Sequence, residues 1–295
     1  MLSEEYVVVM AHYDHLGVTL DGKVYCGAFD NASGVAVALE LARLLMSGSV
    51  TFSRSVIFMF TDDEEAGLLG SQAWINEPTV SGETVVAAVS VDPVGRPLLP
   101  DYWPIVVMGA ERSPGLKDLW REAAQYVDED LDVVFIHRDL IPVFASDQDS
   151  FYEAPDPVPA AWFVNPGFSF YHTTDDSPAT VDYRVLLGTT RFMAQALMLM
   201  TEWEETMVYM GPPEVSALDA QEALQLFYGV AESEVLSDDE REQLDSYIGP
   251  LEEVVEADDI SVLSNPDAFF FSATFFVLYT LGPAHPGPIP PPFPQ

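Results

Sequence analysis

Over the first 200 residues, short continuous apolar runs alternate with stretches in which apolar side chains recur every three or four positions. Residues 6–11 (YVVVMA), 55–60 (SVIFMF), 84–91 (TVVAAVSV) and 105–108 (IVVM) lack polar alternation, the pattern of strands buried on both faces of a sheet. Between the first two, Leu39, Ala42, Leu45 and Met46 fall at helical spacing within residues 32–46, with Asn31 or Ser33 placed to cap the helix and Gly48 to stop it. Further helices are predicted at 68–76, 115–127 and 181–201. Strands alternating with helices predict an α/β fold with a mainly parallel central sheet flanked by helices. Residues 146–176, rich in Pro, Gly and aromatics, read as long loops, where binding clefts are commonly built.

Past residue 201 the pattern changes. Capping signals and leucines at heptad-like spacing predict helices around 217–228 and 237–251. The apolar run 268–281 is about 14 residues, short of the ~20 that cross a bilayer, so no transmembrane segment is expected and the run reads as docked on the protein. Residues 283–295 hold seven prolines in 13 positions and read as an extended or disordered tail. The expected organisation is a main unit at 1–205, a small acidic helical appendage packed on it at 206–282, and the Pro-rich tail at 283–295.

Charge narrows the function classes. The chain has 295 residues, with 48 Asp plus Glu against 11 Lys plus Arg, a formal charge of −37. Residues 201–260 alone carry 18 acids and one base, Arg241. Nucleic-acid binding, which starts with cations neutralising phosphates, is excluded as an expectation, and an anionic membrane surface is disfavoured likewise. With 18 Phe, 12 Tyr and 5 Trp, the composition is that of a folded chain. The single cysteine, Cys26, rules out an internal disulfide framework and a thiolate-rich zinc site, so any metal must be held by His and carboxylates. The opening MLSEE has neither the basic nor the apolar region of a signal peptide, which leaves the compartment open, and the oligomeric state is likewise unspecified.

Polar residues cluster where the apolar runs end, the place where open parallel sheets bind ligands. His12-Tyr13-Asp14-His15 follows the first run, Asp30-Asn31 precedes the first helix, Asp62-Asp63-Glu64-Glu65 follows the second run, Asp92 follows the third, and Tyr171-His172 closes the aromatic loop. Gathered at one edge, they offer two imidazoles and several carboxylates, a nitrogen and oxygen set suited to zinc and related divalent ions. In His12-x-Asp14 the carboxylate can accept the far ring N–H and fix the tautomer. Of two adjacent glutamates, one can bind metal while the other stays free as a general base toward water. Singly, each has a plainer reading: a loop histidine, a helix-start acid pair, an aspartate opening a turn. His15 and Cys26 are read as solvated or packed.

Five segments, AHYDHLG (11–17), GAFDNASGVAVALELAR (27–43), TDDEEAGLLGS (61–71), SVDPVGR (90–96) and YHTTDDSP (171–178), resemble in order and spacing the co-catalytic di-zinc aminopeptidase family. That family also contains glutamate carboxypeptidases, glutaminyl cyclases and the transferrin receptor ectodomain. The resemblance runs from about residue 6 to 203, two thirds of the chain. It implies a zinc-exopeptidase, phosphorylase/hydrolase-like fold and two zinc ions per chain. Asp30 would bridge them, one ion also held by His12 and Asp92, the other by Glu65 and His172. Glu64 would be the general base on the bridging water, Asp14 would orient His12, and the Asp30–Asn31 bond would be the family's cis peptide. Asp147 and Tyr171 are expected to touch substrate, with Asp147 or another loop acid sensing the free amine, while Asp63 is expected to pack beside the metals. Phe29 stands where the family usually has Asp, and Gln148 where His is common. The family's segment ahead of the first strand is absent, which is expected to leave one sheet edge incomplete.

The leading functional expectation is an aminopeptidase acting on peptide substrates. A carboxypeptidase or amidohydrolase is the first alternative, although binding an acidic tail calls for an arginine cluster and arginines are few. A glutaminyl cyclase would keep a single zinc, whereas all five ligand positions are filled. A non-catalytic, receptor-like module would have lost ligands, and none is lost. A related deacylase family shares His-x-Asp and Glu-Glu, but Asp30-Asn31-Ala32-Ser33-Gly34 favours the aminopeptidase pattern.

Overall fold

The computed structural model describes residues 2–48, 52–126, 131–141, 145–205 and 207–286. Six strands, β1 (Tyr6–His12), β2 (Ser55–Thr61), β3 (Val85–Val91), β4 (Pro104–Met108), β5 (Asp132–Ile136) and β6 (Ala160–Val164), form one sheet in the order β2-β1-β3-β6-β4-β5. β2, β1, β3 and β6 are parallel neighbours; β4 pairs antiparallel with β6 and parallel with β5. The mainly parallel α/β sheet expected from the pattern is present. Its one antiparallel junction sends the carboxyl ends of β4 and β5 to the opposite edge from those of β1, β2, β3 and β6.

Two strands escape the sequence reading. β5 is a five-residue run without helical or alternating signature, and β6 lies inside the Pro- and Gly-rich stretch expected to be loop. That stretch also holds a short helix, α4 (Gln148–Tyr152). The other helices are α1 (Ser33–Met46), α2 (Leu69–Asn76), α3 (Pro114–Ala124), α5 (Tyr183–Glu202), α6 (Ala217–Ala231), α7 (Asp238–Ala257) and α8 (Pro266–Ala284), the last with a wider π-type turn over Phe276–Leu281. Residue 127, expected to end α3, lies outside the described residues.

Strand alternation assigns the layers. Val7 and Val9 face one side, with Ala87, Val89, Val107 and Phe163, and are covered by α1, α3 and α5 through Leu41, Trp120 and Phe192. Val8 and Met10 face the other side, under Phe151 and Tyr152 of α4. On that second side, Val106, Met108, Val134, Ile136 and Val164 of β4, β5 and β6 pack against Phe227 of α6, Leu244 and Leu251 of α7, and Phe270 and Leu278 of α8. The C-terminal helices therefore share one apolar cluster with half of the sheet. Each fully buried side chain of this size stabilises by about 1.5–3 kcal/mol. Polar ties reinforce the packing: Glu222 of α6 receives Lys117 Nζ at 2.7 Å and Arg121 at 2.5 Å from α3. Capping boxes at Ser216/Asp219 and Ser237/Glu240 start α6 and α7.

α8 corrects the length read from its apolar run. Pro266 opens the helix in its first turn and Gly282–Ala284 continue it, so it has 19 residues and is, by length and composition, long and apolar enough to cross a membrane. Here Phe270, Phe276, Val277, Leu278 and Leu281 are buried in the shared cluster. The first residues of the Pro-rich stretch thus belong to α8, His285 Nε2 lies 2.9 Å from Glu240 Oε1, and 287–295 lie outside the described residues.

Candidate metal centre and active site

Four strand ends on one edge deliver the cluster. β1 ends in His12; the turn after β2 carries Glu64 and Glu65; β3 runs into Asp92; and the chain leaving β6 brings Tyr171 and His172. Asp30 comes from the turn before α1. There Asn31 Nδ2 donates to the Val91 carbonyl at 2.8 Å and its Oδ1 accepts the Gly34 N–H at 3.0 Å, so Asn31 caps α1 and pins the turn to β3. A Cβ on Gly34 would lie 2.1 Å from the Val91 carbonyl oxygen, which explains glycine there. The Asp30–Asn31 peptide is cis, as is Asp92–Pro93. His172 sits at φ 56° and Leu68 at φ 62°, left-handed conformations that cost non-glycine residues energy and concentrate at functional sites.

The donors divide into two groups around one carboxylate. His12 Nε2 is 3.1 Å from Asp30 Oδ1 and 3.1 Å from Asp92 Oδ1. His172 Nε2 is 3.1 Å from Asp30 Oδ2 and 3.1 Å from Glu65 Oε2. Asp30 Oδ2 and His172 Nε2 are buried without a hydrogen-bond partner. Zinc bonds of about 2.0–2.1 Å at tetrahedral angles set neighbouring donors about 3.3 Å apart, close to these spacings, and the donor types are those zinc takes. The residues present therefore fit divalent metal on both sides of Asp30.

Neighbouring groups hold each donor. His12 Nδ1 lies 3.4 Å from Asp14 Oδ1 and 3.2 Å from the Asp14 carbonyl, while Asp14 Oδ2 accepts the Glu65 N–H at 3.2 Å. Ser146 Oγ donates to Asp92 Oδ2 at 2.5 Å, which leaves Oδ1 to face His12. Asp176, fully buried, accepts the N–H groups of Phe29 at 2.8 Å and Asp30 at 3.1 Å. Burial opposes ionisation of Asp30, yet the imidazoles of His12 and His172 beside it outweigh burial and hold the carboxyl well below its usual range. Glu64 has no such partner; burial first, and the Asp92 charge next, push it up to about 9.

A cavity of about 360 Å³ opens over this cluster. Asp30, Glu64, Glu65, Asp92 and His172 line its polar side; Leu68, Pro93, Trp162, Phe168, Tyr171 and Tyr279 line its apolar side. Tyr171, expected to touch substrate, is there and stacks on His172 at 3.8 Å. Asp147 is not: it is fully buried, accepts a hydrogen bond from Thr61 Oγ1, and does not line the cavity, so it braces the β2 end instead of sensing an amine. Gln148 is buried too, donating to Asp149 Oδ1 at 2.9 Å. Asp63, expected beside the metals, is exposed. Phe29 is fully buried, edge-on to Phe168 at 6.3 Å. Cys26 is exposed, in keeping with its solvated reading.

His15 is the residue the sequence reading underrated. Its Nδ1 is 2.8 Å from Glu65 Oε1 and 3.6 Å from Asp30 Oδ2, and its side chain is mostly buried. The signal was the second histidine in His12-Tyr13-Asp14-His15, three residues past the first. Asp176 sat in the motif after His172 without a role, and Tyr279 had no local signal at all.

Residues 2–197 match Peptidase family M28. A 99-residue stretch is 37% identical to a probable leucine aminopeptidase of Arthroderma otae, covering 32% of this chain and 27% of that protein. Among solved structures, BSAP, a zinc aminopeptidase from Bacillus subtilis, superposes with a TM-score of 0.54 at 25% identity, covering 68% of this chain and 47% of that one. Glutaminyl cyclase from Porphyromonas gingivalis gives 0.53 at 22% identity over 66% of this chain and 73% of that one, a likeness of fold. The chain spans about a quarter of the curated relative's length and about half of the zinc aminopeptidase's. The family match runs through every residue of the cluster, from His12 to His172, and the chain belongs to Peptidase family M28.

Proposed function

We propose that the protein is a metal-dependent aminopeptidase that hydrolyses the first peptide bond of peptides with a free amino terminus. The observation that carries this reading is the division of Asp30, one oxygen turned to His12 and Asp92, the other to His172 and Glu65. It supports two zinc ions per chain, held by His12, Asp92 and Asp30 on one side and by His172, Glu65 and Asp30 on the other. Zinc bound there would polarise the scissile carbonyl and supply a nucleophilic water near neutral pH. Glu64, on the cavity wall without a fixing partner, would be held ionised by the positive charge of zinc bound beside it, and so takes the water proton on a carboxylate oxygen and passes it to the departing amine. Asp14 fixes the His12 ring. His15 binds Glu65 Oε1 and leaves Oε2 as donor.

Polarity of cleavage follows from charge. The polar residues lining the cavity are four carboxylates and one histidine, with neither lysine nor arginine among the described lining residues. A substrate carboxylate would find no cation to pair with among these residues, which favours aminopeptidase over carboxypeptidase chemistry. The leucine aminopeptidase relative and the zinc aminopeptidase neighbour support the same reading. Residues 1–205 would then carry the whole metal cluster, with the 206–282 helices packed on them.

The test pairs metal analysis with a panel of aminoacyl p-nitroanilides, each free and N-acetylated. Two zinc ions per chain, turnover lost to chelator and restored by zinc, and no cleavage of blocked substrates are expected. Blocked substrates cut as fast as free ones, or a single tightly held ion with cyclisation of glutaminyl peptides, would overturn it.

A further inference from the structure

The apolar wall of the cavity is not built by the matched segment alone. Tyr279 lies in α8, well past residue 197, yet lines the same cavity as Glu64 and His172. Its ring stacks flat on Phe168, centroids 4.8 Å apart and 6° from parallel, and stacks on Phe275 at 5.2 Å from the other direction along α8. Phe168 in turn meets Tyr171 edge-on at 5.4 Å, and Tyr171 lies on the His172 ring. An unbroken aromatic series thus joins α8 to the metal cluster.

α8 is held in register at this point. Ser169 Oγ donates to the Gly282 carbonyl at 3.2 Å, and a Cβ on Gly282 would come within 3.0 Å of Leu98. Phe276, Val277, Leu278 and Leu281 on either side of Tyr279 are buried in the cluster shared with β4, β5 and β6. Tyr279 is therefore a fixed part of the wall, and its ring reaches the cavity because the helix beneath it cannot recede.

We infer that Tyr279, stacked on Phe168, is a specificity-determining residue that closes the apolar side of the substrate cavity and selects terminal residues with large apolar side chains. The inference rests on the aminopeptidase reading for its substrate. The cavity that carries Glu64, Glu65 and His172 is also lined by Leu68, Trp162, Phe168 and Tyr279, which offer an apolar side chain a surface to leave water. A short side chain would leave that surface uncovered and gain little from it.

The test uses the full chain loaded with zinc, with Tyr279→Ala and Tyr279→Trp beside the wild type. Leucyl and alanyl p-nitroanilides report hydrolysis; calorimetric binding of free leucine and free alanine reports recognition without turnover. Tyr279→Ala is expected to lower the leucyl-to-alanyl ratio of kcat/KM by about tenfold, the scale of a lost apolar pocket contact, mainly through KM and with zinc content unchanged. Tyr279→Trp, which narrows the cavity, is expected to depress leucyl turnover more than alanyl turnover, and both variants should reduce the preference for binding leucine. Equal losses on both substrates, or ratios unchanged in both variants, would overturn the inference and leave α8 a brace for the His172 loop. A wild type that binds leucine over alanine but hydrolyses no aminoacyl amide would remove the catalytic reading, and loss of that binding preference in the variants would still uphold the wall.

Discussion

Acid is concentrated in two parts of this molecule that have little else in common. Around Asp30, carboxylates from three separate elements are withdrawn from water and set about a hydrogen-bond length from imidazoles. On α7, Glu242, Asp245, Glu253 and Glu256 face solvent along one helix whose opposite side, Leu244, Ile248, Leu251 and Val254, is buried. Hydrated carboxylates on a helix face need no partner and keep an apolar layer soluble. Buried ones at close range repel one another and resist ionisation unless cations or donors offset them. α7 alone carries eight acids in its 20 residues, so what marks a site is convergence of donors from distant positions and not the number of charges in a segment.

The sharpest way to break that comparison is Asp30→Ala. Both donor groups lose their shared member, so zinc content should fall toward zero and amide hydrolysis to the background rate; a variant that kept two ions would show that Asp30 is not the ligand they share. Next in size is Glu64→Gln, which should keep both ions yet lose roughly 10²–10⁴ in kcat, the usual worth of a general base; full activity would remove Glu64 from the chemistry. His15→Phe separates holding from ligating. Loss of its hydrogen bond to Glu65 should weaken zinc by about 10–100-fold, as outer-shell partners typically do, read from competition with a fluorescent chelator, whereas unchanged affinity would return His15 to a packing role. Smallest of all should be the quadruple change Glu242→Gln, Asp245→Asn, Glu253→Gln and Glu256→Gln, with each surface substitution moving stability within about ±0.5 kcal/mol and zinc content untouched. A loss of zinc there would couple the two regions that the structure keeps apart.

Three of the proposed ligands were legible because they sit at or just past the end of an apolar run, and a parallel sheet gathers such ends on one edge. His12, Glu65 and Asp92 could therefore be grouped without knowing the strand order. Asp147 shows the limit of that logic. It has the right type and region, but a loop residue carries no periodicity to say which way its side chain points, and it points inward to Thr61. β6 was hidden for a different reason: five apolar residues, Ala160–Val164, are too few to outweigh the prolines around them. Tyr279 could not be seen because its meeting with Phe168 depends on the whole C-terminal layer folding across β4, β5 and β6. Nothing within several residues of Tyr279 announces a cavity.

The loop between β1 and Asp30 also has a use in chemical labelling. It carries the chain's single thiol, Cys26, which is exposed, and three residues away Lys23, whose side chain is 68% exposed. The chain's other lysine, Lys117, is 10% exposed and engaged by Glu222. Thiol and side-chain amine reagents are thus steered to the same short segment. Tyr25 in that segment meets the His15 ring edge-on at 6.2 Å, so a dye attached at Cys26 sits one residue from a contact with the cluster. Its emission is expected to change on metal loading, in a titration that needs no substrate and leaves every proposed ligand unmodified.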